Sequence, residues 1–203
     1  MKLFFIALLW IAYCVQHSFL ISIRFTRLMK RTLKQYYAFY RLFYTIISFV
    51  LLVPLIMYSV QSDQNIIIHY PMALNLVRIA LIFGSIVMVL WVFFFNYDPL
   101  TFLGIRQILN TNKKNNSNLK GEIKKSGLLG LMRHPMYFAV IIFLWCHTFK
   151  MVDIVVNAIL TIYVIIGTLL EERKLVLEFG EAYKQYQKEV PMIFPFTKFK
   201  TSS

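Results

Sequence analysis

Apolar residues in this chain run in long blocks separated by polar, mostly basic segments. Residues 3–23, 36–60 and 74–95 each approach or exceed the roughly 20 residues a helix needs to cross a ~30 Å hydrocarbon core. Two further blocks, 135–149 and 152–170, are separated only by Lys150 and Met151. They predict a tight helical hairpin whose first arm is short enough to require tilt or a thinned bilayer edge. Backbone polar groups in lipid must be satisfied within their own segment, so helices are expected throughout and strands nowhere.

The tail carries a second pattern. From Glu172, steps of three and four reach Leu175, Val176, Phe179, Tyr183, Tyr186 and Val190, an apolar stripe at helical period that turns Glu172 inward. Arg173, Lys174, Glu178, Glu181 and Lys188 fall mostly outside it. The stripe predicts one amphipathic helix over 169–189 with Gly180 in its interior, at a cost of about 1 kcal/mol relative to Ala. Pro191 ends it and Pro195 keeps the chain extended. The one break in composition, 96–126, contains an Asn/Lys-rich tract at 110–118 that cannot bury apolar surface and reads as a cytoplasmic loop.

Composition agrees with a membrane protein: 59% of residues are hydrophobic and 15% charged, against about a quarter charged in soluble domains. The formal net charge of +13 raises nucleic acid as a partner, but the cations flank the spans instead of forming one patch. They group at 24–34, 106–133 and 173–200, whereas the loop 61–72 has none and the turn at Lys150 and Asp153 is nearly neutral. Alternate loops are basic, the positive-inside pattern. The expectation is a multi-pass protein of a bacterial-type inner membrane, amino terminus outside and carboxyl terminus cytoplasmic, with membrane lipids rather than nucleic acid against its basic segments. The first block ends in a basic cluster without a small-residue cleavage site, so it reads as a retained anchor. The fold expected is an all-α integral membrane protein. It has about five transmembrane helices, a carboxyl-terminal helical hairpin and a cytoplasmic amphipathic helix. It forms a single membrane domain over 1–203, divided into a three-span front half (1–95), the polar loop (96–126) and the hairpin with its tail (127–203).

Four polar features sit where lipid or core is expected. Arg133-His134-Pro135-Met136-Tyr137 opens the fourth block. Pro135 suits a first helical turn, and the helix amino end beside Arg133 and His134 attracts anions; two interfacial anchoring residues are the plainer alternative. Glu171-Glu172 ends the fifth block, where an acid is costly by a few kcal/mol without a partner. Arg133 is a candidate partner, because the hairpin returns the chain to the same membrane face. Gln16-His17-Ser18 lies late in the first block, as either a functional intramembrane histidine or a hydrogen-bonded bundle residue. Arg41, with Tyr40 and Tyr44, reads as snorkelling to headgroups. Cys14 and Cys146 have no ligand spacing and read as ordinary buried cysteines. No phosphate-binding glycine loop, no HExxH and no Cys/His zinc pattern occurs, so neither a soluble nucleotide fold nor a metal site is expected.

Gly127 through Tyr137, the hairpin, Glu171-Glu172, Phe179-Gly180 with Tyr183 and Tyr186, and Val190-Pro191 resemble, in order, the isoprenylcysteine carboxyl methyltransferase and phospholipid methyltransferase superfamily. Gln16-His17-Ser18, Tyr40-Arg41, Tyr97-Asp98 and the run 102–107 look like its methanethiol S-methyltransferase and NnrU-like branch. The resemblance implies S-adenosyl-L-methionine bound from the cytosol between hairpin and tail, with S-adenosyl-L-homocysteine as product. It implies that Leu131 (through its backbone), His134, Tyr137 and Tyr183 line the cofactor pocket. Glu171 and Glu172 would then meet the cofactor's polar parts, and Arg133 its carboxylate. His17 would favour the thiolate of a thiol acceptor, with Arg133 and Glu172 completing the catalytic set. The acceptor implied is a small thiol or another small or lipidic molecule. Two departures stand out. Leu129 replaces a Tyr common before the motif. Gly167 stands where isoprenylcysteine enzymes carry Arg, which argues against a prenylcysteine carboxylate. Two other readings stay open: an NADPH-dependent membrane reductase of related fold, and a non-catalytic protein on the same scaffold.

Overall fold

The computed structural model describes residues 1–62, 66–68, 71–96, 100, 105–109, 125–147 and 149–195. The polar tract 110–118, Asp63, Tyr97-Asp98 and residues 102–104 lie outside them. The elements are helices α1 (Lys2–Ile21), α2 (Ile23–Leu33), α3 (Tyr37–Ser62), α4 (Met72–Trp91), α5 (Ile105–Leu109), α6 (Leu128–Leu131), α7 (Pro135–Trp145), α8 (Met151–Phe179) and α9 (Glu181–Glu189). A 3-10 turn at Lys34–Tyr36 precedes α3, and a π-helical turn at Val92–Asn96 extends α4. Two short strands, β1 (Ile66–Ile68) and β2 (Phe149–Lys150), pair antiparallel.

Four helical stretches are long and apolar enough to cross a membrane: Lys2–Ile21, Tyr37–Ser62, Leu74–Phe95 and Met151–Phe179. Between 11% and 22% of each apolar window is buried within the chain, so most of this surface faces outward, as in an integral membrane protein. The remaining expected span, fourth in chain order, is the short one. With 11 residues, α7 rises only about 16 Å, roughly half the hydrocarbon thickness.

The chain forms two compact units, and each draws on both halves of the sequence. The first holds Met1–Pro71, Phe94–Asn115 and Thr148–Leu160. Its core joins Ile6 and Trp10 of α1 to Val152 and Val156 of α8, with Leu52 and Leu55 of α3 packed against them. Burying an indole N–H in an apolar core is costly unless it finds an acceptor, and Trp10 Nε1 donates to Ser59 Oγ at 2.9 Å. At the other end of α1, Ser22 is extended, and its side chain caps α2 by accepting from Phe25 N. Lys34, at a φ of 47°, turns the chain from α2 toward α3.

The second unit holds Met72–Phe93, Asn116–His147 and Thr161–Ser203. Here α4 packs along α7. Gly180 departs from the sequence expectation: at a φ of 63° and ψ of −134° it lies between two helices, not inside one. That backbone region is open to glycine and strained for other residues. The break lets α9 fold back, so Tyr183, Tyr186 and Val190 pack against Leu175, Val176 and Phe179 at the end of α8. The stripe's residues meet one another across a turn.

Candidate active site

The site lies in the second unit and is organised by Glu172. Twenty residues of α8 precede Glu171, a rise of about 30 Å, which matches the thickness of a hydrocarbon core. Glu172 is 5% exposed. Its Oε1 accepts from Arg133 Nε at 2.9 Å, from His134 Nε2 at 2.7 Å and from Tyr183 Oη at 2.7 Å. Its Oε2 accepts from Arg133 Nη2 at 2.7 Å and from Gln187 Nε2 at 2.6 Å. Five donors converge on one carboxylate, and the Arg133 pair is bidentate, the strong geometry for such a pair.

The backbone brings these groups together. Arg133 N donates to Pro191 O at 2.9 Å and His134 N to Met192 O at 3.0 Å, pinning the mouth of α7 to the tail. Arg133 Nη1 donates to Gln187 O at 3.0 Å and also to Val190 O, at the carboxyl end of α9. Pro135 occupies the first turn of α7, where its missing N–H costs no helical bond. Tyr186 Oη donates to Leu129 O, and Gly130 leaves room for the turn before the motif, since a Cβ there would meet Lys125 O at 2.9 Å.

Four of the five N–H donors of Arg133 are committed to Glu172 and to the tail's carbonyls. Glu172 and Tyr183 are likewise turned toward each other. The more open part of the cluster is Glu171, whose side chain is 34% exposed. Its Oε2 accepts from Tyr137 Oη at 2.7 Å and stands 3.9 Å from His134 Nδ1. The rings of His134 and Tyr137 stack, 5.5 Å apart. A carboxylate only accepts, so Glu172 selects the tautomer with the proton on His134 Nε2, and in the neutral ring Nδ1 is left as an acceptor beside Glu171. Leu131, at the end of α6, is half exposed. Burial, reinforced by the hydrogen bond to Glu172, raises the Tyr183 phenol. Burial also pushes Tyr186 up to about 12, Arg133 opposing and Glu172 adding to the shift.

His17 belongs to the first unit. Its Nδ1 lies 2.9 Å from Ser48 Oγ, whose own proton goes to Tyr44 O, and its ring stacks on Tyr13. It is hydrogen-bonded within the first unit. Gln187 is a member of the cluster that the sequence pattern passed over. It stands one helical turn after Tyr183, the signal that would have placed it on the same face.

Residues 17–190 match the family described as "Protein of unknown function (DUF1295)". The chain belongs to this family. The DUF1295 match is consistent with the isoprenylcysteine methyltransferase-like superfamily that the motifs resemble. A methanethiol S-methyltransferase of Pseudomonas deceptionensis is 38% identical over 93 residues, 45% of this chain and 35% of that protein. A methanethiol S-methyltransferase of Crocosphaera subtropica is 31% identical over 115 residues, 56% of this chain and 44% of its own length. A third, methanethiol S-methyltransferase 1 of Bradyrhizobium diazoefficiens, is 35% identical over 72 residues, 35% of this chain and 25% of its own length. The chain thus spans less than half the length of these relatives. No solved structure matches it.

Proposed function

We propose that the chain is an S-adenosylmethionine-dependent membrane methyltransferase acting on a small thiol, or another small or lipidic acceptor, at the cytoplasmic face. One observation carries the reading: the Arg133–Tyr137 mouth and the Glu171–Glu172 pair, far apart in sequence, form one hydrogen-bonded cluster. The residues fit the cofactor in a divided way. Glu171, oriented by Tyr137, offers a carboxylate to an ammonium group, and His134 Nδ1 offers an acceptor beside it. Arg133 and Glu172 hold these groups in position. When bound, the cofactor supplies a methyl group already made electrophilic by its sulfonium. The chain's task is then to bind, align and exclude water. The names of the relatives favour a thiol, and Gly167 disfavours a prenylcysteine carboxylate.

The same reading includes the topology. β1 follows the second long helix, and β2 joins α7 to α8. Their pairing supports one shared face for Ile66–Ile68 and the turn at 150, which lie in the two segments poor in Lys and Arg. α2 then lies on the opposite, cytoplasmic face, α7 makes a fourth pass beside a thinned bilayer, and α9 is the cytoplasmic amphipathic helix. The test is methyl transfer from methyl-labelled S-adenosylmethionine to a panel of thiols and lipids by the reconstituted chain. Labelled product from wild type that disappears in His134→Ala is expected. A folded wild-type protein that labels no acceptor and binds NADPH instead would replace this reading with the reductase.

A further inference from the structure

Helix α2 takes no part in the site described above, yet its surface is built for a ligand. At about 100° per residue, Lys30, Arg27, Arg31 and Arg24 fall within one arc of about 120°, with Phe25 nearly opposite and Leu28 at the arc's edge. All four cations are exposed. Among the described residues none of them forms an ion pair, and no Asp or Glu occurs in the first 62 residues of the chain. Leu28 is 52% exposed. The helix is held by its other side: the Phe25 ring packs 4.5 Å from Phe19 and 6.3 Å from Tyr40. Ser22 begins the helix and the turn at Lys34 ends it, so α2 connects two membrane-crossing helices at the level where each leaves the hydrocarbon.

We propose that α2 is an interfacial helix whose Arg24, Arg27, Lys30 and Arg31 face binds the phosphates of anionic phospholipids, with Leu28 inserted at the acyl boundary. Guanidinium groups match phosphate oxygens in a fork geometry, and a cationic face within a Debye length of an anionic surface is drawn to it. A helix with one strongly basic face and one apolar edge lies in the plane of the interface. The exposed Leu28 selects lipid over free phosphate, which offers nothing for an apolar side chain to enter. This proposal does not depend on the methyltransferase reading.

The test uses the full chain in phosphatidylcholine nanodiscs, with and without phosphatidylglycerol, and spin-labelled versions of both lipids. Wild type should immobilise labelled phosphatidylglycerol in preference to phosphatidylcholine, and added salt should weaken the preference. The variant Arg24→Gln/Arg27→Gln/Lys30→Gln/Arg31→Gln should lose at least about threefold of it, and Arg24→Lys/Arg27→Lys/Arg31→Lys should keep most. An unchanged preference in the Gln variant overturns the proposal. Should that variant fail to insert, a nitroxide at Leu28→Cys in a Cys14→Ala/Cys146→Ala background decides. Protection of the label from a water-soluble relaxation agent supports the inserted helix, and full accessibility overturns it.

Discussion

Replacing Glu172 by Gln changes one atom in a buried cluster and tests whether this carboxylate holds the site together. An amide offers one oxygen and one NH2 group where the carboxylate offers two oxygens. If the NH2 takes the place of Oε2, it faces donors from Arg133 Nη2 and Gln187 Nε2; if it takes the place of Oε1, it faces Arg133 Nε, His134 Nε2 and Tyr183 Oη. Gln187, His134 and Tyr183 can flip, change tautomer or rotate, but a guanidinium has no acceptor to offer. In either orientation Arg133, with its side chain 8% exposed, keeps an N–H aimed at another donor and a charge without its counterion. Breaking a buried pair by removing one partner costs about 3–5 kcal/mol, and that is the destabilisation expected. Reversible unfolding in detergent, followed by tryptophan fluorescence and far-ultraviolet circular dichroism, measures it. Arg133→Met alone should be costly too. The double variant should be less destabilised than the sum by at least about 1.5 kcal/mol, because the second change removes an already unpaired group. A single variant within about 1 kcal/mol of wild type, or strict additivity in the double, would refute the role assigned to Glu172.

Glu171→Gln should do the reverse: unfolding is little changed, and affinity for S-adenosylhomocysteine falls about tenfold or more, as for a lost hydrogen bond to a charged group. Gly180→Ala should destabilise by about 1–3 kcal/mol although a Cβ there meets nothing within 4 Å, since the cost lies in the backbone conformation; an unchanged unfolding midpoint would contradict this. Tyr183 and Tyr186 hold their protons more tightly folded than unfolded, so their contribution to stability is complete below about pH 10. It is lost as pH rises, for Tyr186 through about 12. Absorbance near 295 nm in the folded protein should show these phenols titrating after the exposed tyrosines.

The long apolar blocks were legible because lipid imposes a length, and the four long helices fall where those blocks lie. The pairing of Arg133 with Glu172 was visible as an option once the hairpin returned the chain to one face. What stayed hidden depends on backbone geometry. The stripe from Glu172 to Val190 keeps its spacing through Gly180, so a continuous helix and a folded-back pair have the same pattern in sequence; only the positive φ distinguishes them. Arg133's donors are taken by Gln187 O and Val190 O, and a bond to a carbonyl leaves no trace in residue type. Gln187 went unnoticed because a stripe traced through apolar residues passes over a polar one, although its place one turn after Tyr183 puts it on the same face. The shortness of α7 was legible, but the β1–β2 pairing was not, because two- and three-residue strands lack a periodic signal.

Calorimetric titration of the purified, lipid-reconstituted chain with S-adenosylhomocysteine tests the central claim most directly. A saturable, one-site heat that Glu171→Gln weakens, with no heat from NADPH, is the predicted result. A folded wild-type protein that gives no heat with S-adenosylhomocysteine would contradict the account.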